Sequence, residues 1–275
     1  MNLQSDHDSI PLDEEVPQRS SLTAPSYPKS KVFVVLPAYN EEEALGSLLN
    51  NLGEAFADSG WPYEVIVVDD GSQDATAELA GQFGFQMPVH LLKHSQNQGL
   101  GPTLRDGLRE AAELASARDV ILTMDADNTH PAGLIDSMVR RIKEGSDIVI
   151  ASRFRDGAQV VGVPWNRKFL SVGARLLFSL TFPTQGVRDY TSGFRAYRAE
   201  AIQAGFARFG DDLVSETGFS CMADVLLKLR SLNRVFSEVP LILRYDQKGG
   251  VSKMKVMRTA ILTLQLLFRH RIGHD

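Results

Sequence analysis

Five short apolar runs, separated by stretches of helical spacing, constrain this chain more than any other feature. Val32-Phe33-Val34-Val35-Leu36 is apolar without alternation, as expected of a strand buried on both faces. Pro37 ends it in this reading, and Asn40-Glu41-Glu42-Glu43 leads into Leu45, Leu48, Leu49 and Leu52 at helical spacing. Glu64 to Val68 predicts a second strand, closing on Asp69-Asp70-Gly71-Ser72, with a helix over 74–83. Val89 to Leu92 reads as a third strand, 102–117 as a helix, and Val120 to Met124 as a fourth strand ending at Asp125-Ala126-Asp127. A helix over 131–143 and a strand over Asp147 to Ala151 complete the run. This alternation predicts an α/β fold, a doubly wound, mostly parallel sheet flanked by helices. Such sheets bind ligands outside the carboxyl ends of their strands, and the polar clusters 37–42, 69–72 and 125–129 fall there.

Composition removes several classes of function. The formal net charge of −5 argues against a nucleic-acid binder, which would carry a basic excess. A single cysteine, Cys221, excludes an intrachain disulfide framework and a cysteine-rich zinc site. No apolar run reaches the roughly 18 residues of a membrane span. The first residues, with Asp6, Asp8, Asp13, Glu14 and Glu15, lack the basic start and apolar core of a secretory signal. The body is therefore expected on the cytosolic side of any membrane it visits. Residues 1–30 are rich in Ser, Pro and acidic groups and bury too little surface to offset their ordering entropy, which predicts a disordered tail.

Two acidic clusters carry the chemistry. In extended chain, Asp125 and Asp127 would share a face and converge on one hard divalent cation, Mg²⁺ or Mn²⁺. Such an ion neutralises a diphosphate leaving group. Asp69-Asp70-Gly71-Ser72 offers carboxylates to a base or ribose, with Gly71 permitting close backbone approach; Ser72 and Asp74 equally suit a helix N-cap.

These clusters, with Pro37-Ala38-Tyr39-Asn40-Glu41-Glu42 and Asn97-Gln98-Gly99-Leu100-Gly101, resemble glycosyltransferase family 2 and its GT-A fold. His130-Pro131, Ala151-Ser152-Arg153-Phe154 and Asp189-Tyr190-Thr191-Ser192-Gly193-Phe194-Arg195 narrow the resemblance to the dolichyl-phosphate mannosyltransferase and polyprenyl-phosphate glycosyltransferase branch, over roughly 31–255. The resemblance implies a GT-A catalytic domain over 31–255. Within it Pro37, Tyr39, Glu41, Asp69 and Asp70 would hold the nucleotide sugar, and Asp125 and Asp127 the metal and diphosphate. It implies acceptor-phosphate roles for Arg153 and Arg167, with Arg195 a further candidate and Asp189 orienting the acceptor loop or Arg195. Glu238-Val239-Pro240 and Gly249-Gly250-Val251-Ser252-Lys253 resemble the family's mobile basic loop, making Ser252 and Lys253 phosphate contacts. Asp224 stands where the family has Glu, which leaves its role open.

The implied reaction is inverting transfer of a hexose from GDP-mannose or UDP-glucose to a polyprenyl (dolichyl-type) phosphate. A phosphate monoester is already an anion near neutral pH, so this reaction needs no dedicated base. Transfer to a soluble or glycan hydroxyl is the alternative, and it would need a base among Asp189, Asp211, Asp212, Glu216 or Asp224. A silent nucleotide-sugar-binding module is the third reading. Arg167 opens a stretch, Phe169, Val172, Leu176, Leu177 and Leu180, that reads as a core helix or a lipid-facing one. Met257, Ala260, Ile261, Leu264, Leu267 and Phe268 predict an amphipathic helix over 256–275, lying on a membrane surface or packed on the domain. Peripheral contact with the cytosolic membrane face, or a membrane tether, follows.

Overall fold

The computed structural model describes residues 29–163 and 165–245. The chain runs β1 (Val32–Ala38), α1 (Glu42–Ser59), β2 (Tyr63–Asp69), α2 (Thr76–Phe83), β3 (Val89–Lys93), α3 (Leu100–Leu114), β4 (Val120–Thr123) and α4 (Leu134–Lys143). It continues through β5 (Ile148–Ser152), β6 (Gln159–Val161), α5 (Trp165–Thr181), β7 (Arg195–Arg198), α6 (Ala199–Phe209) and a 3₁₀ turn (Gly210–Val214). The last described elements are α7 (Cys221–Arg230), β8 (Phe236–Pro240) and β9 (Ile242–Arg244). The Gly249–Lys253 loop, the helix expected over 256–275 and all but the last two residues of the expected tail lie outside the described residues.

A seven-stranded sheet has the order β3-β2-β1-β4-β7-β5-β8. Only β7 runs against its neighbours, pairing antiparallel with both β4 and β5. The continuous apolar runs have the predicted cause, since each strand divides its side chains between two packed faces. Phe33 and Val35 of β1 join Leu104 and Leu108 of α3 and Ile202 of α6 on one face. Val32, Val34 and Leu36 join Leu45, Leu48 and Leu49 of α1 and Ile135 and Met138 of α4 on the other.

Three expectations change. Pro37 does not end β1: the strand continues to Ala38, with Pro37 opposite Val68 of β2. Its missing N–H lies on the β4 side, where β4 has already ended at Thr123, so no ladder bond is lost. Glu238-Val239-Pro240 is not a mobile loop but most of β8, parallel to β5. The strand β7 was not anticipated because Arg195 and Arg198 give Arg195-Ala196-Tyr197-Arg198 an exposed look, although Arg195 is fully buried.

α5 turns Phe178 into the core and leaves Val172, Leu176 and Leu180 exposed, four residues apart along one face. A core helix and an apolar surface are therefore both present in it. Among the described residues no helix is long and apolar enough to cross a membrane.

Candidate active site

The loops that follow β1 and β2 are laced together by backbone amides donating to side-chain oxygens. Asn40 N donates to Ser72 Oγ (2.9 Å), Glu41 N to Thr76 Oγ1 (2.8 Å) and Glu42 N to Asp74 Oδ2 (3.2 Å). In return Gln73 N donates to Asn40 Oδ1 (2.8 Å) and Ala75 N to Glu42 Oε2 (2.9 Å). Asp74 Oδ1 also accepts from Thr76 N and Oγ1 just ahead of α2, although the N-cap position itself falls on Ala75, not on Ser72 or Asp74. These bonds hold Tyr39, Asn40 and Glu41, all half-buried, at the carboxyl end of β1. Asn40 takes a positive φ of 50°, and Gly71 one of 69°. A Cβ on Gly71 would lie 2.6 Å from the Gln96 backbone, so this turn admits only glycine.

The adjacent aspartates at the end of β2 divide their work. Asp69 is fully buried; its Oδ1 accepts from Ser72 N (3.2 Å), while its Oδ2 has no partner among the described residues. Asp70, expected as a nucleotide contact, holds the next loop. Its Oδ1 accepts from Gln98 N (2.8 Å) and faces His94 Nδ1 (2.8 Å), and its Oδ2 accepts from Gly99 N (2.9 Å). His94 reaches Asp106 with its other ring nitrogen. This anchor sets the start of α3, where Gly101 presses on the 216–217 loop.

Beyond β4 the Asp125-Ala126-Asp127 segment is not extended. It turns at Ala126 and Asp127, and Asn128 takes a positive φ of 58°. Asp127 Oδ1 accepts from Thr129 N (3.2 Å) and Thr129 Oγ1 (2.7 Å), closing an Asx-type turn. Asp125 N meets His130 Nδ1 at 3.3 Å, and His130 stacks on Phe194 with ring centroids 5.0 Å apart. A Cβ on Gly193 would lie 3.1 Å from Asp125 Oδ1, so the 189–194 loop rests against this carboxylate.

The donor set suits a hard cation. It offers carboxylate oxygens and no thiolate, and among the described residues no cluster of three or more ligand side chains forms a closed cage. Mg²⁺ is commonly held by one or two carboxylates with substrate phosphates completing its shell.

At the end of β5, Arg153 is held by its edge. Its Nε and Nη2 donate to the two oxygens of Asp189 (2.8 and 2.7 Å), and its own N–H donates to Asp189 Oδ2 (3.0 Å). Thr191 Oγ1 takes a second bond from Nη2 (2.7 Å), whereas Nη1 has only a long contact to Ser171 Oγ (3.3 Å). Burial opposes the charge on Arg153, but Asp189, its hydrogen bonds and the neighbouring Asp125 outweigh burial and hold the group above the ordinary arginine range. Burial likewise works against the Asp189 carboxylate, and the Arg153 guanidinium keeps it below the usual carboxylate range. Asp189 thus holds Arg153, not Arg195.

Arg195 is a correction among the site residues. It is fully buried, with Nη1 donating to Met222 O (2.5 Å) and Nη2 to Tyr190 O (2.8 Å). Its fork braces α7 against the 189–194 loop and has no surface to offer an acceptor phosphate. Arg167 falls on α5, and its side chain lies outside the described part; Ser252 and Lys253 lie outside it entirely.

The candidate bases are largely committed. Asp189 is spent on Arg153. Asp224, fully buried, accepts from Ser215 N and Oγ (both 2.9 Å) and from Lys228 Nζ (2.8 Å). Asp211 pairs with Arg109 at the surface, and Glu216 accepts from Ser220 Oγ (3.1 Å). One contributor escaped the sequence reading: Glu238 Oε1 accepts the amides of Arg188 (2.6 Å) and Asp189 (2.7 Å). An acid within the short run Phe236-Ser237-Glu238-Val239 was the available signal.

A mostly parallel sheet with acidic turns at the ends of β2 and β4 is the arrangement expected of the GT-A fold. Residues 33–206 match Glycosyl transferase family 2, and the chain belongs to that family. The dolichol-phosphate mannosyltransferase of Pyrococcus furiosus is 34% identical over 226 residues, which is 82% of this chain and 59% of that protein. The chain thus spans less than two thirds of that relative. The polyprenol monophosphomannose synthase of Mycolicibacterium smegmatis is 30% identical over 82% of each chain. The undecaprenyl-phosphate mannosyltransferase of Micrococcus luteus is 31% identical over 82% of this chain and 87% of its own. Among solved structures, glucosyl-3-phosphoglycerate synthase from Mycobacterium tuberculosis, in complex with Mn²⁺, UDP and glucosyl-3-phosphoglycerate, superposes with a TM-score of 0.61. That match covers 90% of this chain and 81% of the other at 23% identity, a likeness of fold.

Proposed function

We propose that this protein transfers a hexose, with inversion, from a nucleoside-diphosphate sugar such as GDP-mannose or UDP-glucose to a polyprenyl phosphate. The observation that carries this reading is Arg153, locked along one edge by Asp189 and leaving Nη1 lightly engaged beside the Asp125 turn. A guanidinium fixed in this way directs its positive charge and its Nη1 donor at a phosphate oxygen. Three polyprenyl-phosphate enzymes among the relatives named above support the same acceptor.

The nucleoside would lie on the laced loops after β1 and β2, against Pro37, Tyr39 and Glu41. Asp69 Oδ2, a buried acceptor with no partner among the described residues, suits an N–H or O–H of the donor. Asp125 and Asp127 would hold Mg²⁺ or Mn²⁺. When bound, the ion supplies charge stabilisation to the departing diphosphate. Arg153, with Arg167, would place an acceptor phosphate oxygen behind the anomeric carbon. A new carbon–oxygen bond forms there as the bond to the nucleoside diphosphate breaks, and the leaving group keeps the electron pair. No proton has to be removed, which agrees with the carboxylates Asp189 and Asp224 being tied up in ion pairs. Ser252 and Lys253 would close over the diphosphate.

The apolar face of Val172, Leu176 and Leu180 on α5 begins next to Ser171, a partner of Arg153, and suits a lipid chain or bilayer surface. The stretch 151–190 carries six Lys and Arg against two Asp in a chain of net charge −5, which favours the anionic cytosolic face of a membrane.

The test incubates the protein with Mg²⁺ or Mn²⁺, radiolabelled GDP-mannose or UDP-glucose, and a short polyprenyl phosphate. Label entering an organic-extractable, acid-labile lipid is the expected result. Binding of the nucleotide sugar without transfer to this acceptor would overturn the acceptor assignment.

A further inference from the structure

We infer that Glu238 is a positioning residue for the acceptor site, setting Arg153 through the backbone of residues 188–189. This rests on the reading of Arg153 as the acceptor-phosphate residue. Glu238 lies on β8 opposite Ile150 of β5, the strand whose end carries Arg153. Its side chain is buried, and Oε1 accepts two consecutive amides, Arg188 N at 2.6 Å and Asp189 N at 2.7 Å. Successive backbone N–H groups form a concave cradle for an anion, and here the anion comes from the protein itself. Both bonds are charge-assisted and short, so they fix the 188–189 peptide against the sheet.

From that peptide the Asp189 side chain projects to Arg153. Asp189 makes two side-chain bonds and one backbone bond to Arg153, and its Oδ1 also takes Ser192 N (3.1 Å). The order of dependence therefore runs from β8 to Glu238, to the 188–189 amides, to the Asp189 carboxylate and to the guanidinium edge. Glu238 touches no reacting atom. Its contribution is the angle at which Nη1 is presented, and a displacement of about 1 Å at such a group can cost on the order of a hundredfold in rate. A carboxylate that served packing alone would have both oxygens satisfied or replaced by carbon. Instead Oε2 is buried without a hydrogen-bond partner among the described residues, so the fold tolerates an unfavourable group to keep Oε1 in place.

The experiment compares Glu238→Leu, Glu238→Gln and Arg153→Lys by acceptor KM, donor KM, kcat and melting temperature. Glu238→Leu is expected to raise the KM for polyprenyl phosphate by about 10- to 100-fold with the donor KM within about threefold, in line with other supporting residues behind a ligand. Glu238→Gln, which keeps an oxygen for both amides, is expected to recover most of that loss. If Glu238→Leu does not fold, Glu238→Ala, whose smaller side chain leaves room for water at the two amides, tests the same register through the acceptor KM. Equal changes in donor and acceptor KM, or a Gln variant no better than Leu in a protein of unchanged melting temperature, would overturn the inference. Should wild type and Arg153→Lys show the same acceptor KM, the acceptor reading fails first, and the two failures are told apart.

Discussion

The two halves of the sheet hold their ligand-facing loops by different means. On the β3-β2-β1 side most bonds run from backbone amides to short polar side chains, as in Asn40 N to Ser72 Oγ and Glu41 N to Thr76 Oγ1, with the buried Asp70 the exception. On the β7-β5-β8 side the loops hang on buried charge: Asp189 on Arg153, Glu238 on two amides, Arg195 on Met222 and Tyr190. Loops fixed by backbone geometry present a shaped surface, which suits a nucleoside. A buried ion pair presents a directed charge, which suits a phosphate. The difference also implies unequal sensitivity, because breaking one partner of a buried pair costs about 3–5 kcal/mol whereas a neutral hydrogen bond contributes about 1 kcal/mol.

The largest effect is expected where the halves meet, at the β4 turn. Asp127→Asn keeps an acceptor for Thr129 N and Oγ1 but removes the charge that the proposed reaction sets against the diphosphate. Transfer should fall by about 10²- to 10³-fold, the scale for losing one transition-state electrostatic contact. The melting temperature should hold, because the turn is intact. A variant with full turnover would remove Asp127 from the metal and diphosphate set. Arg153→Lys comes next. It retains a cation for Asp189 but loses the fork, so the acceptor KM should rise about 10- to 100-fold while nucleotide binding, measured by calorimetry, stays put. Equal damage to both substrates would erase the division between the halves.

The donor half was the more legible one. Its strands are apolar runs, and its loops carry Asn, Asp, Ser and Gly in turn positions. What sequence could not give was the direction of each carboxylate: Asp69 and Asp70 look alike, yet only Asp69 keeps an oxygen without a partner among the described residues. The acceptor half was less legible for a specific reason. Its strand β7 carries arginines at both ends, and β8 carries Glu238, so charge disguised buried strands as surface. Arg153 could be found because it follows an apolar strand; its dependence on Asp189, thirty-six residues away, could not.

A third variant probes the seam between the halves by volume rather than charge. Gly101 donates its N–H to Thr217 O (3.1 Å), and a Cβ there would lie 1.7 Å from Glu216 O. That is backbone against backbone, so neither side yields by a rotamer change. Gly101→Ala should destabilise the protein by about 1–3 kcal/mol. A fall in melting temperature of about 2–4 °C per kcal/mol would register it. Activity at low temperature should suffer less than stability, since α3 carries no reacting group. A variant of native stability would mean that the 216–217 loop moves freely away from α3.

The smallest expected effect separates two buried carboxylates by the sign of their response to pH. Asp189 has a folded pKa below its unfolded value, so it contributes stability above about pH 4, lost as pH falls through the folded value. Glu238 behaves oppositely. Burial pushes its carboxyl up, and the charge of Asp189 adds to the shift, against the pull of the Arg188 and Asp189 amides. A carboxyl with a raised folded pKa favours the fold below its unfolded value of about 4.3, and that contribution disappears as pH rises through the folded value. Above its unfolded value Glu238 therefore contributes less to stability than it does at lower pH, while Glu238→Gln carries no such pH dependence. The melting temperature of the Gln variant relative to wild type should be higher at pH 7 and decline as the pH falls through the window between the unfolded and folded values. Denaturant titrations at several pH values read this directly. A constant difference between the two proteins across that range would show that Glu238 titrates in the fold as it does in the unfolded chain, and the acceptor half would then bear no electrostatic cost for holding Asp189 in place.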